Sequence, residues 1–436
     1  MKAEDLARKY LEFGEPNKAL VLLKEIARLD PKNSDKRSAY LYAMHFANIP
    51  QEEIFREHLM FSRDFETRSE SPSFEAHSKK IRIGYISPDL CAQASRYCLE
   101  PITTHHNKEI FEIFFYCNSP YHDIYTDKFR SHADGWREIQ GMNTYDIVSG
   151  IRSDKIDILV DLAGHTSLNN LPVFMSRVAP IQVSWFGYMD TTGLVNMDYR
   201  LTDEWRTPRD REKFYTEKLV YIPNSYTFKS YENLPPITPP PMTTNGYITF
   251  GSFNSSQKIN IEVINLWAEI LHSIPNAKLL FVTPRDESYV EALLKNFNAR
   301  GIDTNRIVIR ERSSMPNFLS YINDVDVGLD PFPYTGGVTT YHALSLGVPT
   351  ITLEGDVEFA RNCGAIMREA GISALTVCKT KDEYVTKAIE FSKNPELLLK
   401  LRKKLPQELR SREKDTVKYV EEAFLKMFED RLRTSV

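Results

Sequence analysis

Two kinds of hydrophobic pattern divide the chain. In the runs 3–31 and 36–70, apolar positions recur at helical spacing. From residue 81 onwards, short apolar runs alternate with helical stretches, which predicts βαβ units and a mostly parallel sheet. The predicted strands lie at 81–87, 111–117, 156–162, 181–185, 219–222, 247–250, 278–282, 306–309, 325–330 and 350–353.

Breaks in this pattern predict the domain boundaries. Prolines cluster between residues 223 and 241, which is typical of an interdomain linker. We therefore expect an α/β protein with a helical segment, a first Rossmann-like domain, a linker, a second Rossmann-like domain and C-terminal helices. Their expected bounds are 1–72, 73–225, 226–245, 246–390 and 391–436. Because open parallel sheets bind ligands at the carboxyl ends of their strands, we expect a site in a cleft between the two facing domains.

The first helical run resembles a single tetratricopeptide repeat. Gly14 separates two helical stretches, Ala19 follows five residues later, and Pro31 ends the run. One such repeat cannot bury its apolar face alone, so we expect it to pack on the rest of the chain. Its helices would also offer a surface to a protein partner.

Composition narrows the class of protein. The 436 residues carry a net charge of −4, which argues against a nucleic-acid partner, because phosphate contacts need clustered Lys and Arg. Five widely spaced cysteines without a C-x-x-C pair indicate reduced thiols and a cytoplasmic protein. We find neither the apolar run of a signal peptide nor one long enough to span a membrane.

The first candidate site is the stretch YTGGVTTYHALSLGVP at 334–349. Gly336, Gly337, Thr339 and Thr340 lie between a predicted strand and a helical pattern. Glycines let a ligand approach the backbone, and a helix N-terminus with threonine hydroxyls favours an anion such as a diphosphate. An ordinary strand-to-helix turn capped by threonine has the same spacing.

Two other loops carry candidate chemistry. His165 follows a glycine at the end of a predicted strand, where it would carry protons or bind substrate, or serve as a hydrogen-bonded structural residue. Lys258 ends a polar loop after the strand 247–250, where it would neutralise a diphosphate or simply be exposed. The D-x-D sequence at 324–326 lies beside an apolar strand, and no His/Cys set has zinc spacing. We therefore expect no metal and no other cofactor.

Four ordered blocks carry a family resemblance. IRIGYISPD at 81–89, DLAGHT at 161–166, FGSFN at 250–254 and LDPFPYTGG at 329–337 are similar to the catalytic region of the O-GlcNAc transferase / SPINDLY family, glycosyltransferase family 41. The resemblance covers roughly residues 75–436 and suits a short, bacterial-type member. It implies a GT-B fold and inverting, metal-independent transfer of a sugar to Ser or Thr of a protein. UDP-GlcNAc is the first-choice donor.

The resemblance also implies roles for individual residues. Lys258 would contact the diphosphate and stabilise the departing nucleotide, and His165 would join it as a catalytic residue. The nucleotide-sugar would lie on Gly336, Gly337, Thr339, Thr340, His342, Ser313, Ser314, Phe318 and Asn254. The sugar and acceptor would face Asp161, Gly164, Thr166, Gln93 and Tyr188.

Three positions depart from the family pattern. Gln93 and Phe318 stand where the family has histidines, and His342 stands where it commonly has an acid that holds the ribose. Glutamine carries no proton near neutral pH, and a histidine bonds a ribose hydroxyl less strongly than a carboxylate does. Two alternatives therefore stay open, namely another donor such as a GDP-sugar, and a catalytically impaired subunit that binds protein.

Overall fold

The computed structural model describes residues 2–66, 70, 72–74, 80–410 and 415–434. The chain forms two compact units. The first unit comprises Met1–Leu23, Ala43–Asn48 and Ser230–Ser411, and the second comprises Lys24–Tyr42, Ile49–Lys229 and Arg412–Val436. The N-terminal helical segment is thus divided between the two units. The expected bounds, in contrast, place it in one continuous segment ahead of the first Rossmann-like domain.

The second unit is built on a seven-stranded parallel sheet in the order β3-β2-β1-β4-β5-β6-β7. Its strands are β1 (Ile81–Ser87), β2 (Phe111–Cys117), β3 (Gly135–Glu138), β4 (Ile158–Asp161), β5 (Ile181–Ser184), β6 (Tyr199–Thr202) and β7 (Lys218–Tyr221). Nearly every residue of β1 is buried, as expected for a central strand covered on both faces.

The first unit is built on a six-stranded parallel sheet in the order β10-β9-β8-β11-β12-β13. Its strands are β8 (Thr249–Ser252), β9 (Lys278–Thr283), β10 (Ile307–Glu311), β11 (Val327–Leu329), β12 (Thr350–Leu353) and β13 (Val377–Cys378). The predicted alternation of strands and helices is confirmed in both units.

Helices cover both sheets. Those before β8 are α1 (Ala3–Glu12), α2 (Pro16–Leu29), α3 (Ser34–Met44), α4 (Gln51–Phe65), α5 (Arg96–His105), α6 (Ile124–His132), α7 (Thr144–Ser153) and α8 (Leu171–Met175), with α9 (Met242–Asn245) directly preceding it. The later ones are α10 (Ile261–Ser273), α11 (Glu287–Asn298), α12 (Met315–Asn323), α13 (Val338–Ser345), α14 (Asn362–Glu369), α15 (Ser373–Thr376), α16 (Lys381–Ser392), α17 (Pro395–Arg410) and α18 (Asp415–Thr434). Across the described ranges, none of these helices combines the length and apolarity of a membrane span.

Three strands were not predicted. The edge strand β3 is only partly buried and has no apolar run, and β13 has only two residues. In β6 the charged Arg200 interrupts the apolar pattern of the sequence. Arg200 is nevertheless buried, because its guanidinium donates a hydrogen bond to the Tyr188 carbonyl at 2.7 Å.

The strand order determines where ligands can bind. In each sheet the chain reverses its direction of growth once, between β1 and β4 in the second unit and between β8 and β11 in the first. Such a reversal opens a crevice at the carboxyl ends of the two strands. The loops after β8 and β11 hold Lys258 and Gly336, and the loop after β4 holds His165.

The turn between α1 and α2 packs on the first unit, as predicted for a lone repeat. Gly14 has φ +69°, and a Cβ there would lie 2.2 Å from the Ile259 carbonyl oxygen. Only glycine fits both the conformation and this close approach.

Candidate functional site

The glycine-threonine step forms the start of α13. Gly337 is the N-cap, and the helix begins at Val338, so Thr339 and Thr340 lie in its first turn, as predicted. The N-cap residue Gly337 has no side chain with which to cap this N-terminus. Its backbone donors and the helix dipole therefore favour an anion here.

Asp330 connects the glycine step to the sheet. Its carboxylate accepts hydrogen bonds from the Gly336 backbone N–H at 2.7 Å and from the Thr352 hydroxyl at 2.7 Å. The Asn254 amide donates to it at 3.4 Å, and the Asn254 carbonyl oxygen accepts from the Thr339 hydroxyl at 3.4 Å. One buried carboxylate thus fixes the loops after β8 and β11.

Gly336 has no room for a side chain. A Cβ at this position would lie 2.5 Å from the Thr340 hydroxyl and 2.8 Å from Asp330 Oδ1. Glycine is therefore required here by close packing. Backbone conformation does not require it, because the φ of Gly336 lies outside the left-handed region.

Lys258 lies beside this network. Its ammonium donates to the Thr335 carbonyl at 2.8 Å and lies 4.2 Å from the centroid of the Tyr334 ring. Burial lowers the pKa of Lys258 to about 8, although the carboxylate of Asp330 favours the charged form. The same burial raises the pKa of Asp330 to about 6.

The rings of Phe318 on α12 and His342 on α13 contact each other. Their rings are 6.0 Å apart at 80°, and Phe318 also packs edge-on against Phe253. His342 is buried, and Phe318 lies against an apolar cluster that includes Leu319 and Val348. Packing contacts therefore fix the positions of Phe318 and His342. At position 342 this chain has an imidazole where the family pattern has a carboxylate.

Ser313 and Ser314 lie at the exposed start of α12. Ser313 accepts a hydrogen bond from the Asn317 amide at 3.0 Å, and Ser314 is the N-cap residue. Both precede the helix that carries Phe318.

In the second unit, Asp161 shapes the loop after β4. Its carboxylate accepts from the Gly164 N–H at 2.7 Å and from the Ala163 N–H at 3.2 Å. Burial raises the pKa of Asp161 to about 6. Gly164 has φ +51°, and a Cβ there would lie 2.2 Å from the Tyr188 Cβ, so the loop closes tightly over Tyr188.

His165 is 1% exposed, and both of its ring nitrogens have partners. Nδ1 lies 2.9 Å from the Ser38 hydroxyl, and Nε2 lies 2.9 Å from the Thr192 carbonyl oxygen. Phe61 and Tyr188 pack edge-on against the ring. This geometry favours the structural alternative, in which His165 holds its loop in place, over a proton carrier.

The remaining predicted residues of this unit are Thr166, Gln93 and Tyr188, and their surroundings differ. The Thr166 hydroxyl donates back to the Ala163 carbonyl at 2.7 Å. Gln93 is exposed in the turn between β1 and α5, and its backbone N–H donates to the Cys91 carbonyl at 2.7 Å. Tyr188 is buried, and its hydroxyl lies 2.8 Å from His58 Nε2.

Sequence reasoning missed several residues that complete the site. In the sequence, Asp330 is interpreted only as the end of a predicted strand. Its position just before a glycine-rich loop is the signal that could have identified it as a site residue. The Cys363 thiol accepts from the Thr340 hydroxyl at 3.7 Å, and the Tyr384 hydroxyl donates to the Asp330 carbonyl at 3.0 Å. No local pattern marks Cys363 or Tyr384, because each comes from a distant helix.

A separate cavity of about 720 Å³ lies in the first unit. Gly14, Phe46, Asn260, Phe332 and Glu354 are among its lining residues. The predicted nucleotide-sugar residues do not line it, so this cavity is distinct from the glycine-threonine step at the start of α13.

Two tandem Rossmann-like folds with an anion-binding step and a nearby lysine are typical of enzymes that handle nucleotide-linked substrates. The model of the family described as Glycosyl transferase family 41 matches residues 29–236 and 242–422. The chain therefore belongs to glycosyltransferase family 41, and the predicted family, GT-B fold and glycosyltransferase class are confirmed.

Similar proteins agree with this assignment. The chain is 33% identical over 398 residues to a probable UDP-N-acetylglucosamine–peptide N-acetylglucosaminyltransferase SPINDLY of Arabidopsis thaliana, a match that covers 87% of this chain and 43% of that protein. It is 29% identical over 342 residues to the Arabidopsis protein of the same description named SEC, covering 76% and 35%. The chain thus spans less than half the length of these relatives.

A solved structure is similar along the whole chain. A mutant of the Thermobaculum terrenum O-GlcNAc transferase superimposes with a TM-score of 0.94 at 29% identity, covering 100% of this chain and 85% of that one. A sucrose-phosphate synthase from Thermosynechococcus elongatus, at 11% identity and a TM-score of 0.52 over 80% of this chain and 100% of that one, shows the fold alone.

Proposed function

We propose that this protein transfers a sugar, with inversion, from a nucleotide-sugar to Ser or Thr hydroxyls of a protein, with UDP-GlcNAc as the first-choice donor. The observation that carries the proposal is Lys258 beside the N-terminus of α13. Together they form a site for a diphosphate. The names of the relatives, which describe peptide N-acetylglucosaminyltransferases, support the choice of donor and acceptor.

The reaction needs charge stabilisation at the leaving group. The acceptor hydroxyl oxygen attacks the anomeric carbon, and the bond from that carbon to the diphosphate oxygen breaks with its electron pair on the nucleotide. The Lys258 ammonium and the α13 donors would stabilise this developing charge, because preorganised donors in a partly buried site act strongly on it. Gly336 and Gly337 would let the diphosphate approach the backbone.

The second-unit loop would hold the sugar and the acceptor. Its backbone conformation is fixed by Asp161 and Gly164, and His165 anchors it to Ser38 and Thr192. We therefore assign His165 to positioning the loop and not to proton transfer. The proton of the acceptor hydroxyl passes to a general base as the new bond forms.

Because Lys258 and a helix N-terminus supply the positive potential, we expect transfer to continue without a divalent ion. A chelator such as EDTA should leave the initial rate unchanged within about twofold, a change equivalent to less than about 1 kcal/mol in the barrier. Initial rates measured with EDTA, and again after adding Mg²⁺ or Mn²⁺, test this. A rate that collapses with EDTA and returns with Mn²⁺ would contradict the metal-independent mechanism.

The pKa of Lys258 predicts a limit on activity at alkaline pH. Its pKa is lowered to about 8, so the free enzyme keeps the cation below that pH and loses it above. We expect kcat/KM to be flat near neutrality and to fall as pH rises through about 8, where Lys258 deprotonates. Lys258→Arg, whose guanidinium stays protonated, should retain little activity but should remove this limb. An alkaline limb that persists in Lys258→Arg would assign it to another group.

A peptide library tests the transfer itself. The protein is incubated with Ser/Thr peptides and UDP-GlcNAc, with GDP-sugars in parallel, and the products are identified by mass spectrometry. Peptides that gain N-acetylhexosamine on Ser or Thr support the proposal. Transfer only from a GDP-sugar would select the alternative donor, which the imidazole of His342 in place of a carboxylate leaves open. No transfer from any donor, with nucleotide binding intact, would select the impaired subunit.

A further inference from the structure

Two rings near the end of α3 pack on residues beside Lys258. Phe46 stacks on Tyr334 with centroids 5.2 Å apart at 11°, and His45 stacks on Phe359 with centroids 4.3 Å apart at 22°. Tyr334 and Phe359 stack on each other at 5.7 Å. We call His45, Phe46, Tyr334 and Phe359 the ring stack, and all four residues belong to the first unit.

The inner members of the ring stack, Tyr334 and Phe359, fix the position of Lys258. The Lys258 ammonium lies over the Tyr334 ring at 4.2 Å and donates to the Thr335 carbonyl at 2.8 Å. The Thr335 backbone N–H and hydroxyl both donate to the Phe359 carbonyl, each at 2.9 Å. Each outer ring, His45 or Phe46, therefore packs on a residue that holds the lysine directly or through Thr335.

A second contact reaches the residue after Lys258. The turn at Gly14 approaches Ile259 so closely that a Cβ would lie 2.2 Å from its carbonyl oxygen. The next residue, Asn260, caps α10 and donates to the Phe332 carbonyl at 2.8 Å. The N-terminal segment thus makes two separate contacts near Lys258, one with Tyr334 and Phe359 and one with Ile259 in the lysine's own loop.

We propose that the repeat-like N-terminal helices are part of the donor site, and that Phe46 is a positioning residue that holds Tyr334 and thereby the Lys258 ammonium at the diphosphate. This inference rests on the proposed role of Lys258. The N-terminal helices would then help to position Lys258, in addition to any binding of a protein partner. Asp330 and Cys363 are the titratable groups that act electrostatically on the Lys258 ammonium.

A double-mutant cycle tests the proposal. The variants are Phe46→Leu, Lys258→Ala and the pair, and the readout is the Kd of UDP by calorimetry, or of GDP if only GDP binds. We expect Phe46→Leu alone to weaken binding about tenfold, or ~1.4 kcal/mol. In the Lys258→Ala background it should change Kd by less than about twofold, because the group it positions is gone. Phe46→Tyr, which keeps the ring, should bind as the parent protein does.

Phe55→Leu is the matched control. Phe55 also belongs to the N-terminal helical segment, where it lies on α4 and packs edge-on against Phe214 at 6.0 Å, outside the ring stack and the turn at Gly14. We expect it to leave the Kd of UDP unchanged even if it lowers the melting temperature. If Phe46→Leu does not fold, His45→Leu removes the ring on Phe359 and replaces it in the cycle.

The outcomes separate the two claims. Additive losses in the double variant, or an equal loss in Phe55→Leu, would overturn the positioning role and leave the proposed function intact. An unchanged Kd in Lys258→Ala alone would remove the diphosphate assignment, and the positioning role with it.

Discussion

Lys258→Ala should lower kcat by about 10²–10³-fold, which is the effect of removing one preorganised donor from a developing negative charge. The fold should remain, because Lys258 is only partly buried and the buried Asp330 keeps its hydrogen bonds from the Gly336 N–H and the Thr352 hydroxyl. The measurement is the steady-state rate of sugar transfer together with a thermal melt.

The matched control for this variant is Lys295→Ala. Lys295 is exposed on α11 of the same unit and has no part in the Asp330 network. Its replacement should leave both rate and melting temperature unchanged. If alanine at position 258 destabilises the loop, Lys258→Met keeps a long unbranched side chain and removes the charge. Parent-level turnover in a folded Lys258 variant would refute the leaving-group assignment.

Gly336→Ala should weaken nucleotide binding at least about tenfold. The added Cβ would lie 2.5 Å from the Thr340 hydroxyl and 2.8 Å from Asp330 Oδ1, so the first turn of α13 must move. Overpacking of this kind costs ~1–3 kcal/mol, and the displaced groups are those that would hold the diphosphate. Calorimetry with UDP measures the loss.

Gly150→Ala supplies the contrast. Gly150 lies inside α7, and the atom nearest to the added Cβ would be 3.6 Å away, so alanine fits without strain. Because alanine is the better helix former, this variant should gain up to ~1 kcal/mol of stability and bind UDP normally. Equal UDP affinities for Gly336→Ala and Gly150→Ala would show that the glycine step holds no phosphate.

Local patterns predicted most of the scaffold. Continuous apolar runs such as those in β4 and β9 identified buried strands, and the glycine-threonine spacing located the start of α13 correctly. Strands without such a run were missed, because β3 is an exposed edge and β6 contains the buried Arg200. Periodicity reports burial on one face, so it fails wherever a charged residue is buried with a backbone partner.

Contacts between distant segments could not be predicted. The Ser38 partner of His165 lies 127 positions away, and this bond favours a structural role for the candidate catalytic histidine. The Phe46–Tyr334 stack joins the N-terminal helices to a loop near residue 334. Tertiary packing alone brings such pairs together, whereas the Lys258 and Gly336 loops follow neighbouring strands and were predictable from topology.

Thermal unfolding in the presence of nucleotides decides whether the loops around Lys258 and Gly336 bind a nucleotide-sugar. Saturating UDP, GDP and their sugars are compared with adenosine diphosphate and with inorganic phosphate. A ligand at ~100 times its Kd adds about 2.7 kcal/mol to the free energy of unfolding, so we expect a clear rise in melting temperature with UDP and UDP-GlcNAc. We also expect Lys258→Ala to reduce this rise. If none of these nucleotides or nucleotide-sugars changes the melting temperature, the protein is not a nucleotide-sugar transferase of the kind proposed.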